Sequence, residues 1–212
     1  MTLADPTAPA GGSYWFSSAD PGAVRPALAG VERADVAVVG AGFTGLWTAI
    51  ALLTADPSLR VVVLEADRVG CGASGRNGGF CAASLTHGLS NGLLHFPDEL
   101  DELEREGVAN LAELVAFVGS EGIDCELEAT GTLDVATEPW QVDGLHAYVE
   151  LGARHGHALT FLAREEVQAA VRSPRFLAGV RAGPEQCVLV NPAKLAWGLA
   201  MAAERRGAVM ST

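Results

Sequence analysis

Val36-Ala37-Val38-Val39-Gly40-Ala41-Gly42-Phe43-Thr44-Gly45 joins four apolar residues to a glycine-rich turn, and the helix-competent stretch Leu46 to Thr54 follows at once. A second apolar run, Val61-Val62-Val63-Leu64, then ends in Glu65, twenty positions past Gly45. Strand, G-x-G-x-x-G turn, helix, strand and terminal carboxylate together are the signature of a dinucleotide-binding βαβ unit. In that reading Gly40 permits the tight turn, Gly42 lets the backbone approach a pyrophosphate, and Gly45 lets the helix lie close to the sheet. The first turn of the helix supplies free N–H groups and the positive end of the helix dipole, so an anion can be held without a basic side chain. Glu65 stands where a carboxylate accepts hydrogen bonds from an adenosine ribose, which disfavours the 2′-phosphate of NADP.

A second glycine-rich loop begins just beyond Glu65. Arg68-Val69-Gly70-Cys71-Gly72-Ala73-Ser74-Gly75-Arg76-Asn77-Gly78-Gly79-Phe80 places five glycines within ten residues. Such a run forms neither a stable helix nor a strand interior, but it can turn several backbone N–H groups toward an anion and thread close to a planar ligand. A nicotinamide cofactor needs no such loop here. FAD does, because its pyrophosphate, ribityl chain and isoalloxazine extend well past the first turn, and Ser74 and Arg76 are suitable polar contacts.

Several classes are disfavoured. Val36 to Ala55 is uncharged over twenty residues, the length of a membrane span, but three glycines and three threonines interrupt it and no basic bias flanks it. Met1 to Ser18 is Pro/Gly/Ser-rich without an apolar core, unlike a secretory signal, so a cytoplasmic protein is expected. The net charge of −12 and the lack of a Lys/Arg cluster argue against nucleic acid as a partner. Cys71, Cys81, Cys125 and Cys187 lack zinc-ligand or redox-pair spacing, so no metal is expected, and reduced thiols fit the cytoplasm. The acidic run Asp98 to Glu106 reads as a solvated helix face, and His155 and His157 as surface residues.

Three stretches resemble the FAD-dependent oxidoreductases of the D-amino-acid oxidase type, in particular the branch similar to gamma-glutamylputrescine oxidase. They are Ala34 to Gly45, the string Gly72-Ala73-Ser74-Gly75-Arg76-Asn77-Gly78-Gly79, and Val190-Asn191-Pro192-Ala193-Lys194-Leu195; Ser13-Tyr14-Trp15 also looks like the short N-terminal arm of that branch. The resemblance implies that Gly40, Gly42, Phe43, Thr44 and Gly45 line the FAD pyrophosphate and that Glu65 binds the ribose. It implies that Ser74, Gly75, Arg76, Asn77, Gly78 and Gly79 run along the flavin toward its ring. It further implies hydride transfer to flavin from the carbon beside an amine nitrogen, imine hydrolysis, and reoxidation by O2 or another electron acceptor. No catalytic acid or base is nominated.

The remaining chain suggests an α/β, Rossmann-like FAD-binding domain, incomplete, with the start of an α+β substrate domain. Helical spacing runs from Asp98 to Gly119, near Trp140 to His155 and near Arg164 to Val171. Cys125 to Glu128 and Thr132 to Ala136 alternate around Ala129-Thr130-Gly131 and predict a β-hairpin. Asn191-Pro192 reads as N-cap and first helical position, with the helix running to Arg206 and stopping at Gly207. The expected organisation is an N-terminal arm (1–34), a first part of the FAD domain (35–123), a substrate-domain segment (124–183) and a return to the FAD domain (184–212). A strand starting at Ala208 breaks off at Thr212 where another βαβ step should close, so a truncated protein is expected. Two other readings stay open: an NAD- or FAD-linked reductase of another class, and a non-catalytic nucleotide-binding fragment.

Overall fold

A computed structural model describes residues 13–18 and 25–212. Part of the N-terminal arm and of the Met1–Ser18 stretch read as lacking a signal therefore lies outside the described residues. In chain order the elements are α1 (Tyr14–Ser17), β1 (Val36–Val39), α2 (Phe43–Ala55), β2 (Val61–Leu64), a 3₁₀ turn (Ala73–Gly75), β3 (Phe80–Ala82), α3 (Leu89–His95), α4 (Leu100–Ser120), β4 (Thr132–Ala136), α5 (Pro139–Arg154), β5 (Thr160–Leu162), α6 (Arg164–Ala170), β6 (Ala178–Ala182), β7 (Cys187–Leu189), α7 (Pro192–Arg205) and β8 (Val209–Ser211). They form two compact units, residues 1–79, 118–127 and 190–212 in one and 80–117 with 128–189 in the other.

The first unit carries a parallel sheet in the order β1-β2-β8, with Val36 opposite Val61 and Val63 opposite Met210. Val61, Val62 and Val63 are all buried, as expected of a strand with a neighbour on each side and helices to cover it. Against this sheet α2 packs, burying Leu46, Ala49, Ile50 and Leu53, and α7 packs against α2, burying among others Ala196, Leu199, Ala200 and Ala203. The Asn191 cap forms as the sequence predicts: its side-chain oxygen accepts from the Lys194 N–H at 3.2 Å, with Pro192 at the first helical position. Gly207, at φ +104°, ends the helix in a conformation that favours glycine.

The second unit contains an antiparallel sheet in the order β4-β6-β5 and the antiparallel pair β3-β7. The predicted hairpin does not form. Thr132 to Ala136 pairs with Ala178 to Ala182, and Glu128 bridges Leu189 instead. Alternation marks an extended segment but carries no information about its partner; burial of Val180 and Ala182 between β4 and β5 decides that. Gly131 permits the pairing, since a Cβ at that position would run into the Ala182 carbonyl.

The acidic run on α4 is also not uniformly solvated. Glu104 is buried and pairs with the equally buried His157 at 2.9 Å, while Asp101 reaches the His155 Nδ1 at 2.7 Å. Asp101 and Glu104 lie three residues apart and share a helix face. A carboxylate taken out of water there requires a hydrogen-bonding partner, and the loop after α5 supplies it.

Candidate cofactor site

The first glycine turn leaves β1 and enters α2 within the first unit. Gly40 has φ +99°, a backbone region in which a side chain is strained, and its N–H donates to the Leu64 carbonyl at 2.7 Å. At Gly45 a Cβ would collide with the Gly40 carbonyl and lie 3.1 Å from the Val38 side chain. The turn, the strand and the helix thus meet at a point only glycine fits. Gly42 is the residue before the helix and has no side chain to cap it. Phe43, Thr44 and Gly45 form the opening turn of α2, whose N–H groups lack intrahelical acceptors.

Two residues from elsewhere converge on this turn. The Ser74 hydroxyl accepts from the Phe43 N–H at 2.9 Å, and a Cβ on Gly42 would come within 3.0 Å of the same oxygen. Glu65 folds back from the end of β2: one carboxylate oxygen accepts from the Ala41 N–H at 2.8 Å, the other from the N–H groups of Ala66 and Asp67 at 2.8 and 3.1 Å. The Cys71 thiol approaches that second oxygen at 3.8 Å. The two glycine loops are further joined where the Gly70 N–H donates to the Ala41 carbonyl at 3.0 Å.

The second loop is organised by its own residues. Asn77 donates through its side-chain amide to the carbonyls of Ser74 and Ala73 at 2.9 and 3.2 Å, and its side-chain oxygen accepts from the Gly79 N–H at 2.9 Å. Gly79 has φ +80°, and a Cβ there would strike the Val190 carbonyl. Gly75 is buried, whereas Arg76 and Gly78 are exposed. Of the residues singled out from the sequence, Gly40, Gly42, Phe43, Glu65 and Ser74 are therefore brought to one turn. Asn77 and Gly79 shape the loop that delivers Ser74.

The sequence marks Ser13-Tyr14-Trp15 only as resembling an N-terminal arm and says nothing of where it docks; in the structure Ser13, Trp15 and Phe16 pack on this loop. Among the described residues no group of His, Cys, Asp or Glu is arranged to hold a metal ion, and no helix is long and apolar enough to cross a membrane.

A parallel βαβ unit whose glycine turn is met by a carboxylate and a second glycine-rich loop defines the class of dinucleotide-cofactor proteins. Within that class the chain belongs to the DAO family of FAD dependent oxidoreductases, whose pattern matches residues 35–212. It is 32% identical to the probable oxidoreductase OrdL of Rhizobium meliloti, the match taking in 98% of this chain and 48% of that protein. It is also 32% identical to gamma-glutamylputrescine oxidoreductase of Escherichia coli, over 77% of this chain and 38% of the relative. In structure it is similar to glycine oxidase from Geobacillus kaustophilus, with a TM-score of 0.69 and 27% identity, covering 85% of this chain and 46% of that one. The chain spans about half the length, or less, of the curated relatives it matches.

Proposed function

We propose that this chain forms the cofactor-holding part of an FAD-dependent oxidoreductase acting on an amine or amino acid. The observation that carries the reading is the convergence of Ser74 and Glu65 on the Ala41–Phe43 backbone, in a chain of this family. The residues fit the group. The missing side chain at Gly42 lets the Ser74 hydroxyl meet the Phe43 N–H, the N–H groups opening α2 suit a diphosphate, and Glu65 suits a ribose hydroxyl pair rather than a phosphate. Gly40, Phe43, Thr44 and Gly45 would line the pyrophosphate, and Ser74 through Gly79, including Arg76, Asn77 and Gly78, would follow the flavin. FAD, when bound, supplies the hydride acceptor.

The amine class comes from the relatives, whose names specify gamma-glutamylputrescine and glycine. Bound FAD would supply the acceptor for the hydride from the C–H beside the substrate nitrogen, which would also give up a proton; water would then convert the imine to a carbonyl compound and an amine or ammonia, and O2 or another acceptor would take up the electrons. We assign the nucleotide to residues 35–123 and 184–212 and the substrate side to 124–183, whose sheet is antiparallel. Cys71, Cys81, Cys125 and Cys187 carry thiols rather than disulfides, which favours a cytoplasmic setting.

Titrating the cofactor-free chain with FAD, and separately with NAD+ and NADP+, tests the cofactor. Saturable FAD binding in preference to both nicotinamide coenzymes is expected; NAD+ binding without FAD, or no binding of any of the three, overturns the assignment. Hydrogen peroxide release on adding amines to the flavin-loaded protein, under air, then separates oxygen from other acceptors.

A further inference from the structure

The second loop contains five of its ten residues from 70 to 79 as glycine and loses much backbone entropy on adopting one shape. Something must hold it. Three residues of the N-terminal segment reach it from more than fifty positions away. The Ser13 hydroxyl donates to the Gly75 carbonyl at 3.0 Å, and the Trp15 indole N–H donates to the Asn77 carbonyl at 2.8 Å. The Phe16 ring lies against the bare α-carbon of Gly75, where a Cβ would come within 2.6 Å of the ring, and Trp15 covers Gly79 in the same way at 3.5 Å.

The segment is itself anchored at several points. Phe16 faces Trp197 of α7, ring centres 6.1 Å apart, with the Arg68 guanidinium 5.9 Å from its ring centre. The Ser18 hydroxyl accepts from the buried Asn191 side chain at 3.0 Å, so the end of the segment is tied to the cap of α7. Trp197 in turn donates to the Val69 carbonyl at 3.2 Å, just ahead of the loop.

We infer that residues 13–18 are a strap that positions the second glycine loop, with Ser13 and Trp15 as positioning residues for the cofactor site. They act through Gly75 and Asn77 on the adjacent Ser74, whose hydroxyl must meet the Phe43 N–H. The inference rests on the proposed FAD reading only for its functional consequence; the loop-ordering part stands on the geometry alone.

The test uses the full chain with Ser13→Ala and Trp15→Phe, singly and combined. Trp15→Phe keeps an aromatic ring and removes only the donor, and Ser13→Thr keeps the hydroxyl. Amide hydrogen exchange of the cofactor-free protein is measured by mass spectrometry, alongside FAD titration and thermal melting. The double variant should exchange faster across 72–79 while α2 and β2 stay as protected as in the wild type, and should bind FAD about tenfold more weakly, as expected for two lost hydrogen bonds. Ser13→Thr should restore the wild-type behaviour of Ser13→Ala. Unchanged exchange across 72–79 in the double variant overturns the strap, as does a uniform rise over the whole unit. Faster local exchange in a protein whose wild type takes up no FAD upholds the strap and overturns the cofactor reading, so the two failures are distinguishable.

Discussion

Gly42 shows how much of the site rests on one missing side chain. A Cβ there already stands 3.0 Å from the Ser74 oxygen, and the two methyl groups of Val would displace the hydroxyl from the Phe43 N–H. Gly42→Val should weaken FAD binding by about tenfold to a hundredfold, the effect of overpacking at one contact, while the melting temperature falls little. Wild-type affinity in that variant would count against the placement. Glu121 makes a separate statement about pH. Hydrogen bonds from Arg206 first and Arg205 second, at 2.5 and 2.6 Å, lower its pKa from the usual 4.5 to about 2. A carboxylate depressed in the folded state stabilises above its unfolded pKa and loses that contribution as pH falls through its folded value. Glu121→Gln should therefore lower the urea midpoint at pH 7, and the gap to the wild type should shrink from about pH 4.5 down toward pH 2. A gap that stays constant over that range would show that the ion pairs contribute nothing.

At the level of elements, α7 depends on the residue that caps it. Asn191 caps the helix, donates to Glu126 at 3.2 Å and to Ser18 at 3.0 Å, and is almost wholly buried. Its own N–H donates to the Cys125 carbonyl at 2.7 Å. Asn191→Ala removes the cap and leaves polar partners short of a donor, so a loss of about 1–2 kcal/mol is expected in denaturant unfolding. Asn191→Asp tests the mechanism: it retains the cap acceptor but places a second carboxylate beside Glu126, and should recover only part of the loss. The pKa of Glu126 is held down by Lys194 first and Asn191 second, and the pair Lys194–Glu126 at 2.7 Å shows how the cap and its neighbour bind the same segment. This helix start was readable from Asn191-Pro192 because capping is a local rule. The pairing of Thr132 to Ala136 was not, because a strand's partner is chosen by long-range burial.

At the scale of the whole molecule, β1 is an edge of its sheet among the described residues, and its exposed face is apolar. Val39 is 86% exposed and Ala37 is also exposed, on the face opposite Val38, which packs toward Gly45. An unpaired apolar edge strand recruits other chains. The 212-residue chain on its own should self-associate at micromolar concentration, and Val39→Lys should raise the monomer fraction measured by light scattering with little change in melting temperature. Equal association of the two proteins would exclude this edge as the contact.

What the sequence determined by itself was whatever depends on neighbours along the chain: the βαβ unit from Val36 to Glu65, the glycines at its turn, the capped helix from Pro192 and the family resemblance those motifs carry. Tertiary structure alone decided which distant groups meet. It brought Ser74 to Phe43 and Glu65 to Ala41, laid Ser13 and Trp15 across the second loop, paired β4 with β6, and buried Glu104 against His157. Periodicity and capping are encoded within a few residues, whereas these contacts arise only when burial of the core sets which segments share a surface, and no short pattern records that choice.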